Sequence, residues 1–190
     1  MLNRLNIVVL ALIISCQNVS EYERIVKEEM AKGVYIDSVK FGLRLGDTKK
    51  TFFTKAWELN ADGIVTHGPN NEFIAYEIEN MPEGKRVNHL FYGIFNDKDI
   101  MTGLDMRFYF LGWAPWNEQL QSDQLMPVAM NKLMEWYPGN SFISIENENF
   151  PNETFVKIDG NRQILIYIID KKDVRAQLLD LRHKYPNLVK

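Results

Sequence analysis

The sequence predicts an α+β fold in which helices pack on one face of an antiparallel sheet. Apolar residues recur at helical spacing in some segments and at alternate positions in others, and the alternating segments come in groups. Short turns rich in Gly, Asn and Asp join the alternating segments, as in β-hairpins. With 46% hydrophobic and 12% aromatic residues, the chain can bury one large core.

Two capped helices are predicted before the first strands. Ser20 and Glu23 have the spacing of a capping box, and Gly33 is predicted to end the first helix. Apolar residues occupy alternate positions towards the end of residues 34–45, which predicts an extended segment. The second helix starts where Asp47 or Thr48 can accept hydrogen bonds from the first free amides.

The rest of the chain is predicted as strands and two further helices. The third helix covers residues 125–137, with Pro127 in its first turn, and a final helix starts at about Asp173. Asp159 and Gly160 are typical of a tight hairpin turn. The predicted strands cover residues 64–67, 72–78, 87–95, 100–111, 142–146, 154–158 and 163–169.

The order of these elements suggests two similar units. A helix followed by antiparallel strands is predicted over residues 47–111, and the same order is predicted again over residues 122–169. The two units would be residues 20–111 and 112–190 of one globular domain. Because residue similarity between the halves is weak, a duplication rests on element order alone.

The N-terminal segment has the pattern of a secretory signal peptide. Arg4 is its charged residue, residues 7–14 have no polar side chain, and the small Ser15 precedes Cys16. As a helix this apolar run is about 12 Å long, so it cannot cross a hydrocarbon layer of roughly 30 Å. An ordinary cleaved signal, or a buried first strand with a core cysteine, would give a similar pattern.

The same residues resemble the lipobox of bacterial lipoproteins. That motif has an aliphatic residue three positions before a cysteine and a small residue directly before it, and Ile13, Ser15 and Cys16 take these positions. Ile14 departs from the motif because it is bulkier than the usual middle residue.

The resemblance implies a lipid anchor. Residues 1–15 would be removed as a signal peptide, the sulfur of Cys16 would be lipidated and the new amino terminus acylated, and residues 16–19 would form the anchor and a short tether. More than one acyl chain makes such attachment stable. Gln17 in place of an Asp after the cysteine implies the outer membrane.

A second, shorter resemblance concerns the start of the second helix. Residues 43–50 read Leu-Arg-Leu-Gly-Asp-Thr-Lys-Lys and resemble the helix leader of small outer-membrane lipoproteins of the SmpA/OmlA type and of β-lactamase-inhibitor-like folds. The sequence departs from that pattern at Asp47, where Met is commoner, and lacks the Gly-Pro that often ends the helix. The resemblance implies a non-enzymatic adaptor or inhibitor.

No catalytic or metal-binding motif is evident. The three histidines are scattered, and neither a His-Glu-x-x-His pattern nor a Gly-x-Ser-x-Gly elbow occurs. A hydrolase would need His67 or His89 beside a carboxylate such as Asp105 or Glu77. A single cysteine excludes a disulfide framework, and residues 96–99 fit a hairpin turn better than a calcium loop. No cofactor or metal is therefore predicted.

Aromatic residues are dense at the end of one predicted strand. Tyr109 lies in the strand, and Trp113 and Trp116 follow in a loop that Gly and Pro interrupt. If exposed, they would bind a protein or stack on a sugar ring. Alternatively, the loop folds back and both tryptophans cover the edge of the core.

Together these features predict a lipid-anchored cell-envelope protein with a non-catalytic binding or adaptor role. Its partners would be membrane lipid, through acylated Cys16, and an envelope protein or saccharide. A net charge of −3 without a basic block argues against nucleic acid. The alternatives are a small envelope hydrolase that uses a histidine and a carboxylate, and an inhibitor that captures an envelope or extracellular enzyme through the tryptophan loop.

Overall fold

The computed structural model describes residues 21–69, 72–81, 84–145 and 153–189. The predicted signal peptide, the tether that begins at Cys16 and the Ser20 cap lie outside these described residues. None of the helices within the described ranges combines the length and the apolar character needed to cross a bilayer.

The described chain contains four α-helices and eight strands. The helices are α1 (Glu21–Ala31), α2 (Lys49–Ala61), α3 (Ser122–Trp136) and α4 (Leu181–Lys184). The strands are β1 (Thr66–His67), β2 (Ile74–Glu77), β3 (Val87–Phe95), β4 (Met101–Phe110), β5 (Ile143–Ile145), β6 (Thr154–Asp159), β7 (Arg162–Ile168) and β8 (Val174–Asp180).

All eight strands form one antiparallel sheet in the order β1-β2-β3-β4-β8-β7-β6-β5. The order of one helix followed by four strands occurs twice, first as α2 with β1–β4 and then as α3 with β5–β8. The two halves meet where β4 pairs with β8, and Met106 lies opposite Ala176 in that pair. The predicted α+β class with an antiparallel sheet is confirmed.

One continuous core lies between the sheet and the helices α2 and α3. Alternate residues of the central strands point into it, as the period of two in a half-buried strand requires. Burying each large apolar side chain contributes about 1.5–3 kcal/mol. Core side chains without solvent exposure include Phe52, Phe91, Met106, Phe108, Leu125, Leu133, Ile166 and Leu178.

A second, smaller core lies on the other side of the sheet, under α1. Val26 and Met30 of α1 pack there with Val156 and Ile158 of β6, and the hydroxyl of Tyr22 donates a hydrogen bond to Gln163 (2.6 Å). Helix α1 therefore covers the sheet at the β6 end, and α3 packs on the opposite face. We call the face that carries α1 the outer face.

The predicted C-terminal helix from Asp173 is wrong over most of its length. That segment forms strand β8, paired with both β4 and β7, and only four residues of α4 follow it. Val174 and Leu178 satisfy helical and strand spacing equally, so periodicity could not separate the two. The two flanking strands decide the outcome because they supply hydrogen-bond partners on both sides.

The extended segment predicted at residues 34–45 is interrupted at its centre, although Val39 and Leu43 on either side of the interruption have extended backbone. It folds into a tight loop with a 3₁₀ turn at Lys40–Gly42, and a single bridge joins Ser38 to Arg44. Phe41 has φ of 65° in this turn, an uncommon value for a bulky residue. Stacking on Phe91, with ring centroids 5.2 Å apart, holds it there.

Two smaller differences concern α3 and the β6–β7 turn. Helix α3 begins at Ser122, so Pro127 lies in its second turn on the exposed side, where water can replace the lost backbone hydrogen bond. Asp159 pairs with Arg162, which places Gly160 in the turn itself with φ of 55°. The predicted hairpin between the two strands is confirmed.

Candidate functional site

An aromatic groove of about 520 Å³ lies between α2 and the β1–β2 hairpin. Trp57 is 72% exposed and Phe53 is 44% exposed, although both are large apolar side chains. We call this cavity the aromatic groove and define it by six of its lining residues. These are Phe53, Trp57, His67, Glu72, Phe73 and Tyr92.

Helix α2 carries two adjacent faces with different roles. The Thr48 hydroxyl accepts a hydrogen bond from the amide of Thr51 (3.1 Å) and caps the helix start. Phe52 is fully buried and packs edge-to-face on Phe95, with ring centroids 5.5 Å apart. Because Phe53 and Trp57 are four residues apart, they lie side by side on the next face, which stays open.

The opposite wall of the groove is built by the first hairpin and by β3. The ring of Tyr92 lies 6.0 Å from that of Phe53 and 6.4 Å from that of Phe73, both in edge-to-face geometry. The side-chain amide of Asn60 donates to the carbonyl of Val65 (3.0 Å) and fixes α2 to the chain that enters β1. The walls are therefore held in place while the space between them stays open.

Polar groups are few in the groove and lie among aromatic rings. Exposed His67 and the carboxylate of Glu72 line it, and no hydrogen bond or ion pair between the two is found in the described part of the chain. Apolar walls with a small number of polar groups are the usual composition of a binding site.

The predicted tryptophan site is split by the structure. Trp116 is 84% exposed, whereas Trp113 is half-buried and its indole nitrogen donates to the carbonyl of Lys171 (3.1 Å). The amide of Gln121 donates to loop carbonyls, including that of Ala114 (3.1 Å), and holds the loop in shape. Trp116 therefore projects from an ordered loop.

Tyr109, the third residue predicted for this site, lies on the outer face of β4. Its ring packs under the ammonium group of Lys172, which is 4.5 Å from the ring centroid. Its hydroxyl accepts a hydrogen bond from Asn88 (2.6 Å). Tyr109 is therefore a half-buried residue of the sheet and not part of the projecting loop.

His89, a predicted candidate for catalysis, is buried in the main core. It is fully buried, both ring nitrogens lack a hydrogen-bond partner among the described residues, and the ring stacks on Phe108 at 4.7 Å. Burial, and to a smaller degree the charge of Lys40, lower the pKa of His89 to about 3. The ring is neutral at physiological pH.

The carboxylates proposed as histidine partners are engaged elsewhere. Glu77 accepts two hydrogen bonds from Arg86 (2.6 and 2.7 Å), and Asp105 accepts two from Arg175 (2.7 and 3.0 Å). Strand register places both carboxylates on the face of the sheet opposite His89. The structure thus does not bring the predicted histidine–carboxylate pairs together.

No group of three metal-ligating side chains is present within the described residues. Residues 96–99 form a hairpin turn in which the Asn96 side-chain oxygen accepts hydrogen bonds from the amides of Lys98 and Ile100, each at 3.0 Å. That oxygen stabilises the turn itself.

The aromatic groove was missed at the level of sequence. Phe53 and Trp57 do carry a signal, since they form an aromatic pair at helical spacing beside the buried position of Phe52. What covers the pair depends on where the first hairpin packs, which spacing alone does not determine.

No family model matches the chain, and no curated protein or solved structure is similar enough to indicate a family.

Proposed function

We propose that this chain is a lipid-anchored cell-envelope protein that binds a partner protein in its aromatic groove and catalyses no reaction. The observation that carries the proposal is the exposure of Trp57 beside Phe53 in an ordered groove. The membrane attachment rests on the resemblance of residues 13–16 to a lipobox.

Large aromatic side chains that are exposed in the free protein gain favourable free energy when a partner covers them. Trp and Tyr are the residues whose burial contributes most to binding at protein interfaces, and an aromatic side chain buries about 150–250 Å². Trp57, Phe53 and Tyr92 surround one cavity, so a single apolar segment of a partner would cover all three.

The position of the groove fits a protein tethered through Cys16. Helix α1 begins five residues after that cysteine and packs on β6. Strand β1 lies six strand spacings from β6 in the sheet, a distance of about 29 Å at the usual 4.8 Å spacing. The groove is therefore at the sheet edge remote from the tether, where a partner away from the bilayer can reach it.

The anchor is tested by replacing the cysteine in cells that receive an acyl-chain label. Cys16→Ser is expected to abolish labelling and leave an unprocessed precursor, because the sulfur is the attachment atom. Ser15→Ala keeps a small residue before the cysteine and serves as the control that is still labelled. Labelling of Cys16→Ser at the wild-type level would show that the anchor assignment is wrong.

The groove is tested by photocrosslinking the lipidated chain in its own membranes and comparing two single substitutions. Trp57→Ala should remove the crosslinked protein, whereas Trp116→Ala should leave it, and the exposure of both side chains means that neither change disturbs the core. Loss with Trp116→Ala alone would transfer the site to the tryptophan loop, as the inhibitor alternative requires. Trp57-dependent retention on envelope polysaccharide without a protein crosslink would identify a saccharide partner instead.

A further inference from the structure

Two arginines face each other at the centre of the outer face. Strand register places Arg107 of β4 directly opposite Arg175 of β8, and both side chains are half-buried. Like charges at opposed positions of an antiparallel pair destabilise the sheet. The pair therefore needs anions to balance it.

Arg175 has its anion within the protein. Its guanidinium donates to both oxygens of Asp105, at 2.7 and 3.0 Å, and a third hydrogen bond reaches the hydroxyl of Tyr167 (3.4 Å). This bidentate geometry is the strong form of an arginine–carboxylate pair. Each oxygen of Asp105 accepts one of these hydrogen bonds.

Arg107 has no such partner. Its Nε is buried without a hydrogen-bond acceptor, and no ion pair or hydrogen bond of its guanidinium occurs within the described ranges. The guanidinium lies over the ring of Phe73, 5.1 Å from the centroid. Asp173 interacts with it only through space, and burial raises the pKa of that carboxyl.

We propose that Arg107 binds an Asp or Glu side chain of the partner protein, next to the apolar segment that fills the aromatic groove. This inference rests on the proposed function. The guanidinium fork fits a carboxylate in bidentate geometry, and a partner carboxylate would balance the cross-strand arginine pair.

The surroundings of Arg107 support this ligand. Phe73 contacts Arg107 and also lines the aromatic groove, so an acid and a neighbouring apolar residue of one partner segment can bind together. Lys172 lies over Tyr109 on the same face. Acids also lie near this patch, since Asp105 pairs with Arg175 and Asp173 interacts with Lys172 and Arg107. It is the missing acceptor of Arg107 that favours a carboxylate from the partner.

The test uses the processed, ¹⁵N-labelled chain in detergent micelles with two small probes. 3-Phenylpropionate carries a ring and a carboxylate, and 3-phenylpropanol carries the same ring without charge. Phenylpropionate should shift the Nε–Hε signal of Arg107 and the indole signal of Trp57 saturably. Phenylpropanol should shift only the Trp57 signal.

Substitutions connect the signal to the guanidinium. Arg107→Gln should weaken phenylpropionate binding about tenfold, since a charge-assisted pair is lost, and should leave phenylpropanol binding unchanged. Its melting temperature should equal or exceed that of wild type because a cross-strand repulsion is removed. Arg86→Gln is the matched control, since Arg86 already has Glu77 as its bidentate partner, and it should change neither affinity.

Three results would overturn the inference: an unmoved Arg107 signal, equal shifts at Arg86 and Arg107, or equal phenylpropionate affinity in wild type and Arg107→Gln. If phenylpropanol still binds at Trp57 in any of these cases, the groove of the proposed function stands without the carboxylate site. A wild-type crosslink in Trp57→Ala, by contrast, defeats the proposed function itself.

Discussion

The two halves of the sheet handle polar and apolar groups in opposite ways. The half built by β1–β4 leaves large aromatic side chains in solvent around the aromatic groove and leaves Arg107 without an acceptor. The half built by β5–β8 buries charged side chains and holds them in ion pairs, such as Lys157 and Arg162 with Asp159, although Nε of Arg162 has no acceptor of its own. We call the paired set the polar network; it consists of Glu29, Asn140, Lys157, Asp159, Asn161, Arg162 and Asp180.

The polar network connects segments that are distant along the chain. The ammonium group of Lys157 is fully buried, 2.6 Å from Asp159 and 2.8 Å from the carbonyl of Asn140. Glu29 accepts hydrogen bonds from Asn140 (2.8 Å) and from the amide of Gly160 (3.1 Å), which ties α1 to the β6–β7 turn. Buried ions persist only when they are paired in this way.

If the proposed function holds, recognition belongs to the β1–β4 half, whereas the buried ion pairs that stabilise the fold lie in the β5–β8 half. Groups that are satisfied internally cannot be offered to a ligand, whereas exposed rings and an unpaired guanidinium can. We therefore expect substitutions in the β5–β8 half to cause large losses of stability, and substitutions at the aromatic groove to cause small ones.

The largest expected effect is in the polar network. Asp159→Asn leaves the buried Lys157 without its counter-ion and should lower the free energy of unfolding by about 3–5 kcal/mol. Urea denaturation measures this value. Glu58→Gln, which removes an exposed pair with Lys55, is the control and should change stability by less than about 1 kcal/mol. A loss of that small size in Asp159→Asn would contradict the stabilising role of the network.

The next effect tests a buried polar group in the β1–β4 half. The pKa of His89 is lowered from 6.5 to about 3 in the fold, so the unfolded chain binds a proton that the folded chain rejects, and stability falls as pH drops below 6.5. Between pH 7 and pH 4.5 this contributes a loss of about 2–3 kcal/mol.

His89→Phe should remove that part of the acid sensitivity, and chemical denaturation at the two pH values measures the difference. Carboxylates such as Asp180, whose pKa is lowered by hydrogen bonds from Arg182 and Asn161 against the opposing effect of burial, act in both proteins and cancel. His67→Gln, at an exposed ring, is the control that should retain the wild-type pH dependence. If the free energy of unfolding of His89→Phe depends on pH as it does in wild type, the buried ring is not the group that causes the acid sensitivity.

A smaller effect is expected at the start of α2, which positions the groove. Thr48→Ala removes the acceptor for the amide of Thr51 and should reduce stability by about 1 kcal/mol. Thr54→Ala, at an exposed position within the same helix, should be neutral or slightly stabilising because alanine is the better helix former. Equal effects of the two substitutions would show that the cap is not used.

The smallest effect on stability should come from the groove itself. Trp57→Ala removes a side chain that is 72% exposed and should change the free energy of unfolding by no more than about 0.5 kcal/mol. A loss above about 2 kcal/mol, measured in the same urea titration, would identify Trp57 as a core residue and remove the basis of the proposed recognition site.

The sequence predicted the bounds of an element correctly where the contacts that fix those bounds lie within a few residues. The hairpin of β3 and β4 was predicted within one residue at each end because its turn is held by the side chain of Asn96 two to four residues away. The start of α2 was predicted for the same reason, since Thr48 caps an amide three residues on. The α+β class followed from such elements together.

Tertiary structure decided the secondary structure and the pairing of those residues whose partners are distant in sequence. Residues 174–180 became a strand because β4 and β7 flank them, and Tyr22 is bound to Gln163, 141 residues away. Likewise, Asp105 is paired with Arg175 of the neighbouring strand, while Nε of Arg107 has no acceptor among the described residues. Composition and spacing determine which segments are apolar enough to be buried and which residues begin and end them. Which charges find a partner, and which aromatic rings remain in water, depends on the packing of elements that the chain brings together only when it folds.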